Sequence, residues 1–132
     1  MDDFFWIEQC LSKLPKRKRV FRLNMSFIQY DASTRHGVIK LRHIPQDVDT
    51  VLCVNSFDNP RDCKTICKQA FTLLPNDGVL IIINNAIHPG LLRFALKPFD
   101  WKYITVVPDS GNVYAIAGKG ERPEMENSKV YA

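Results

Sequence analysis

The sequence predicts an α/β domain in three layers, with helices on both faces of a mostly parallel sheet and an antiparallel hairpin at its end. Three observations carry that prediction. The first is Gly78-Val79-Leu80-Ile81-Ile82-Ile83-Asn84, a short aliphatic run launched by Asn76-Asp77-Gly78 and stopped by Asn84-Asn85. A run bounded by turn residues and apolar on both faces is the pattern of an interior strand in a parallel sheet, which needs cover above and below. The second is Val51-Leu52-Cys53-Val54, another buried strand, joined to the first through a helical stretch that opens at Pro60. Strand, helix and parallel strand make one βαβ unit with a right-handed crossover. The third is the pair of strands around Pro108-Asp109-Ser110-Gly111-Asn112, a turn that reads as a hairpin.

Taken in order, residues 3–14 read as a helix. Phe4, Ile7, Leu11 and Leu14 make one stripe, widened by Trp6 and Cys10. Asp2 or Asp3 caps its start, and Pro15 ends it. The basic run Lys16-Arg17-Lys18-Arg19 then leads into a strand reading from Val20 to Ile28. Asp31 to Gly37 is turn-rich, and Val38 to Ile44 alternates apolar with basic residues, as a strand at the sheet edge does. Between Pro60, capped by Asp58 or Asn59, and Leu74, the inner helix face is Ile66, Ala70, Phe71 and Leu74. Pro89-Gly90 opens a further helix carrying Leu91, Leu92, Phe94, Ala95 and Leu96, and Pro98 breaks it. Trp101 to Val107 and Val113 to Ala117 are the hairpin strands. The expected organisation is one domain over residues 1–120 and a loose tail over 121–132.

Composition narrows the class. At 132 residues, 45% hydrophobic and 24% charged, the chain has the makeup of an ordinary globular domain that needs no staples. No apolar run approaches the roughly 20 residues that cross a bilayer. The acidic, aromatic start Met1-Asp2-Asp3-Phe4-Phe5-Trp6 is unlike a secretory leader, so a cytoplasmic protein is expected. Cys10, Cys53, Cys63 and Cys67 form neither a disulfide framework nor a zinc spacing, so no metal is expected. The net charge of +4 is uneven: residues 1–44 hold nine Lys/Arg against four Asp/Glu.

From Asp49 to Gly120 the order of elements resembles the C-terminal half of class I S-adenosylmethionine-dependent methyltransferases. Asp49-Thr50-Val51-Leu52-Cys53-Val54-Asn55-Ser56 is similar to that family's fourth strand. Leu73-Leu74-Pro75-Asn76-Asp77-Gly78 is similar to its Leu-Leu-Lys-Pro-Gly-Gly turn, and the closing hairpin fits as well. The resemblance implies a Rossmann-like fold, truncated in its N-terminal half. It departs from the family after the first strand. There the family has a glycine-rich loop that lets backbone approach the cofactor, whereas Asn24-Met25-Ser26-Phe27-Ile28 holds no glycine. What the resemblance implies is a methyltransferase-like module without a cofactor site of its own. An active small methyltransferase and a structural or assembly protein are the alternatives.

Ligands of open α/β sheets sit outside the carboxyl ends of the strands. Here those ends carry Asn24 and Ser26, Asn55 with Ser56 and Asp58, and Asn84 with Asn85 and His88. If S-adenosylmethionine binds, Asn24, Ser26, Asn55 and Ser56 are its expected contacts, and Asp31 takes the place of the family's ribose-binding acid. His88 is the candidate for proton transfer because imidazole titrates near neutrality, and Asn55 is the candidate beside the reacting groups. Asp47 and Asp49 read as a solvated loop. A second site is electrostatic. Lys16, Arg17, Lys18, Arg19, Arg22, Arg35, Lys40 and Arg42 form one nucleic-acid-binding surface if the strands of residues 20–44 lie side by side. The expected partners are therefore nucleic acid or another protein.

Overall fold

The computed structural model describes residues 3–14, 17, 19–23, 28–31, 36–39, 48–54, 60–85 and 87–121. In chain order the elements are α1 (Asp3–Lys13), β1 (Val20–Leu23), β2 (Ile28–Asp31), β3 (His36–Ile39), β4 (Thr50–Val54), α2 (Pro60–Leu73), β5 (Val79–Asn84), α3 (Pro89–Leu96), β6 (Tyr103–Asp109) and β7 (Asn112–Gly118). Five strands form one sheet in the order β1-β4-β5-β7-β6, while β2 and β3 pair with each other in a separate hairpin. β1 with β4 and β4 with β5 are parallel, and β7 runs against both of its neighbours. Four of the five strands thus point the same way. This is a Rossmann-like α/β sheet with a C-terminal antiparallel hairpin.

β5 lies at the centre and all six of its residues are buried. Its pleat sends Leu80 and Ile82 to one face and Val79, Ile81 and Ile83 to the other. The first face packs on α2 and α3 through Cys63, Ile66, Cys67, Ala70, Leu74, Leu92, Ala95 and Leu96. The second packs on α1 through Trp6, Cys10 and Leu14. Burying one such aliphatic side chain is worth about 1.5–3 kcal/mol, so a strand loaded on both sides anchors both layers. Cys53, Cys63 and Cys67 pack together as buried thiols within the first layer, and Cys10 lies in the second.

Several elements differ from the sequence reading. α1 is rotated: Trp6 and Cys10 are fully buried at the centre of its stripe, and Ile7 and Leu11 flank them. Trp6 meets Tyr114 with ring centroids 5.2 Å apart, which sets that rotation. The strand expected over Val20 to Ile28 is two elements in two sheets, because β1 takes β4 as its partner while Ile28 pairs with Ile39. The strand expected over Val38 to Ile44 as an edge is instead β3, the second arm of that hairpin, and residues 40–47 lie outside the described set. Among the described residues the sheet edges are β1 and β6. The final hairpin is longer than expected, with Pro108 inside β6 opposite Val113. Ser110 and Gly111 both have positive φ (51° and 84°), the two-residue turn that follows the natural strand twist. Of the expected tail, only Glu121 is described.

The amino ends of the strands are laced together. Asp49 is 4% exposed rather than solvated. Its N–H donates to the Arg19 carbonyl (3.1 Å), its own carbonyl accepts from Val79 N–H (3.0 Å), and its Oδ1 accepts from Thr50 Oγ1 (3.1 Å). One residue thereby fixes the relative heights of β1, β4 and β5. At Gly78 an added Cβ would lie 2.5 Å from Leu74 Cβ and 2.9 Å from the Pro75 carbonyl oxygen. The Pro75-to-Gly78 turn therefore admits only glycine in that position.

Candidate functional site

The parallel strands bring their carboxyl ends to one edge of the sheet, and β7 begins at that same edge because it runs the other way. Asn84, the last residue of β5, is fully buried and stands opposite Val113. Asn85 follows it and is exposed. β7 adds Asn112, whose Nδ2 lies 3.4 Å from Oη of the buried Tyr114. Asn84 follows Leu80 and Ile82 onto the α2–α3 face of the sheet, whereas Asn112 and Tyr114 follow Ile116 onto the α1 face, so these two amides lie on opposite sides of it. Asn112 and Tyr114 were missed from the sequence because their place at this edge depends on strand direction. The signal was present in the hairpin, whose second strand must start where β5 ends.

His88 stands at the rim as the N-cap of α3. Its backbone is extended (φ −76°, ψ 136°), and Pro89 occupies the first helical position. Nδ1 accepts the Gly90 N–H at 3.0 Å, so the neutral ring carries its hydrogen on Nε2, and the side chain is exposed. A ring nitrogen engaged in capping holds the helix start; only Nε2 faces outward for other work.

Asn24, Ser26, Asn55 and Ser56 lie outside the described residues, as do Asp58, Lys16, Lys18, Arg35, Lys40 and Arg42. Asp31 ends β2 and pairs with His36, so it belongs to the separate hairpin and not to a strand of the main sheet. The basic residues that are described sit elsewhere. Arg17 is nearly buried, with 5% side-chain exposure; its Nη1 donates to the Asp77 carbonyl (3.0 Å) and its Nη2 is 3.8 Å from Asp77 Oδ2. Asp77 precedes β5, which puts Arg17 and Arg19 at the amino ends of the strands, across the sheet from Asn84 and His88. Arg22 is exposed on β1. The described residues of the β2–β3 hairpin include no Lys or Arg, and Lys40 and Arg42, expected to share a surface with Arg22, lie outside the described residues.

The thiols are protected. Burial pushes Cys53 well above the ordinary thiol range, reinforced by Cys63 beside it. A hydrogen bond with Cys63, together with burial, raises Cys67. Such groups stay protonated and behave as small apolar side chains. Among the described residues no group of three or more His, Cys, Asp or Glu is arranged to hold a metal ion. Nor is any described helix long and apolar enough to cross a membrane.

A groove of about 430 Å³ runs along α2, lined by Thr65, Lys68, Gln69, Thr72 and Leu73. The Thr65 and Thr72 hydroxyls donate back to helix carbonyls at 3.0 Å, which makes this wall largely methyl and methylene. It lies along the later turns of α2, away from the strand tips. At the rim itself, Asn84 and Tyr114 are fully buried, and the described polar side chains that reach solvent include Asn85, Asn112 and His88. That suits holding a polar group rather than moving protons between paired acids and bases.

The fold places the chain among Rossmann-like α/β domains. Compared with known proteins, it matches no family model and no curated protein. Among solved structures, the crystal structure of TrmN from Thermus thermophilus is similar at 24% identity and a TM-score of 0.41. The likeness covers 58% of this chain and 25% of that one, so the chain spans about a quarter of that protein's length.

Proposed function

We propose that this chain is a methyltransferase-like domain that does not bind S-adenosylmethionine by itself and works as a binding or regulatory module for a protein or nucleic-acid partner. One observation carries the reading: among the described residues, β1 is the last strand on its side of the sheet. In the family that the sequence resembles, the loop after the first strand grips the cofactor with glycines. The corresponding stretch Asn24-Met25-Ser26-Phe27-Ile28 has none, and the chain from there to β4 includes a hairpin with its own pairing. Glycine lets backbone come close to a cofactor, and every residue of this stretch carries a side chain instead.

Calorimetric titration of the folded chain with S-adenosylmethionine tests this. No heat beyond dilution is expected. Micromolar binding would overturn the reading in favour of a working small methyltransferase, with Asn24, Ser26, Asp31, Asn55 and Ser56 as the contacts to mutate next and His88 as the proton-transfer candidate.

A further inference from the structure

The two edges of the main sheet are built differently. β6 carries Pro108 within the strand, and proline removes a backbone donor from the outward row, a common guard against pairing with a foreign strand. β1 reads Val20-Phe21-Arg22-Leu23, with no proline, no glycine and no bulge. Val20 is 40% exposed and Arg22 is exposed. Among the described residues no strand of the sheet lies beyond β1.

β1 is also rigidly held. Asp49 fixes the carbonyl of Arg19 just before the strand, and the strand pairs in parallel with β4 from Val20↔Thr50 to Leu23↔Cys53. A strand already set in register spends little ordering entropy when it takes up a second neighbour. Its charge has one sign. Arg22 stands out from the strand, the sequence just ahead of it is Lys16-Arg17-Lys18-Arg19, and residues 1–44 carry nine bases against four acids.

We propose that the outer edge of β1 is a docking strand for an extended, acidic segment of a partner protein, which joins the sheet next to β1 through main-chain hydrogen bonds. Charge and strand pairing together select this occupant over two others. A second copy, pairing β1 on β1 about a two-fold axis, would bring two Arg22 side chains and two basic runs into one ribbon, an unfavourable arrangement. Nucleic acid has no peptide backbone to pair with the outward donors and acceptors of β1, so it would meet the charge and leave the strand edge unpaired. The inference goes beyond the cofactor reading and does not require it, since cofactor chemistry belongs to the strand tips and this contact to the strand edge.

Fluorescence anisotropy of the full chain tests it, with a short labelled peptide of alternating glutamate and valine as the probe. The acidic peptide is expected to bind, and the same peptide N-methylated on alternate amides is expected not to, because its charge is kept and its strand pairing is lost. Arg22→Glu should weaken the acidic peptide about tenfold and improve binding of a lysine–valine peptide. Arg22 is exposed, so circular dichroism should show this variant folded as the parent is. On binding, the exchange rates of the Val20 and Arg22 amides should change more than those in β6. Equal binding of the N-methylated peptide would overturn the proposal, and so would absence of acidic-peptide binding to the folded chain. Tighter binding of polyuridine that Arg22→Glu abolishes, or a dimer by light scattering that Arg22→Glu dissolves, would assign the edge to those occupants instead.

Discussion

Removing the indole of Trp6 tests whether α1 truly closes the second face of the sheet. Trp6 is fully buried against Tyr114, in the cluster that includes Val79, Ile81 and Ile83. Trp6→Ala should cost about 3–5 kcal/mol for the lost volume and cavity. Loss of the aromatic pair, worth about 0.5–1.5 kcal/mol, places the expected value toward the upper part of that range. Trp6→Phe separates packing from polarity. Its smaller ring keeps the contact with Tyr114, and the change removes an indole N–H that is buried with no hydrogen-bond partner among the described residues. Relief of that desolvation offsets part of the lost area, so Trp6→Phe should cost only about 1 kcal/mol. The assay is urea denaturation followed by far-ultraviolet circular dichroism, which does not depend on the tryptophan removed. With a urea slope of about 2 kcal/mol per molar, Trp6→Ala should lower the midpoint by about 2 M. A shift under about 0.5 M would refute the reasoning, since it would mean that Ile81 and Ile83 are covered by something other than α1.

Four further outcomes follow. Gly78→Ala forces a Cβ into Leu74 Cβ and the Pro75 carbonyl oxygen, and should destabilise by about 1–3 kcal/mol in the same denaturation assay. His88→Ala removes the α3 cap and should cost about 0.5–2 kcal/mol, whereas His88→Asn should retain most of the stability because asparagine caps well. With all four cysteines buried, a thiol reagent should label none in the native chain and all four in denaturant. Stability should also fall as pH rises past the free-thiol value of 9.0, where the unfolded chain loses protons that buried Cys53 and Cys67 keep. Lys119, lowered by desolvation but largely screened by solvent, opposes this only slightly, so the net change above the thiol range is a decline.

What the sequence makes legible is what two-sided burial forces. β5 has no polar face, and β4 with α2 follows it by spacing alone, so the parallel pair and its crossover could be read directly. α1 was harder because Trp6, Ile7, Cys10, Leu11 and Leu14 cover more than one narrow stripe. Only the contact with Tyr114, more than 100 residues away, decides which of them lies deepest. The break between β1 and β2 is silent because Val20 to Ile28 holds neither glycine nor proline. At the site, the Pro89-Gly90 sequence already hinted that His88 enters a helix. Arginines read as solvated charges, so the burial of Arg17 needed its partner Asp77, 60 positions further on. Asp49 looked like a loop acid for the same reason, since its hydrogen bonds join elements that the sequence alone does not place side by side.

The interior rung of the sheet is β5 and, among the described residues, its limit is β1. Amide hydrogen exchange followed by NMR on the unliganded chain measures both at once. Val79 to Asn84 should exchange only through global unfolding, while alternate amides of Val20 to Leu23 exchange far faster because they face away from β4. Uniform slow exchange along Val20 to Leu23, or rapid exchange within Val79 to Asn84, would contradict this arrangement.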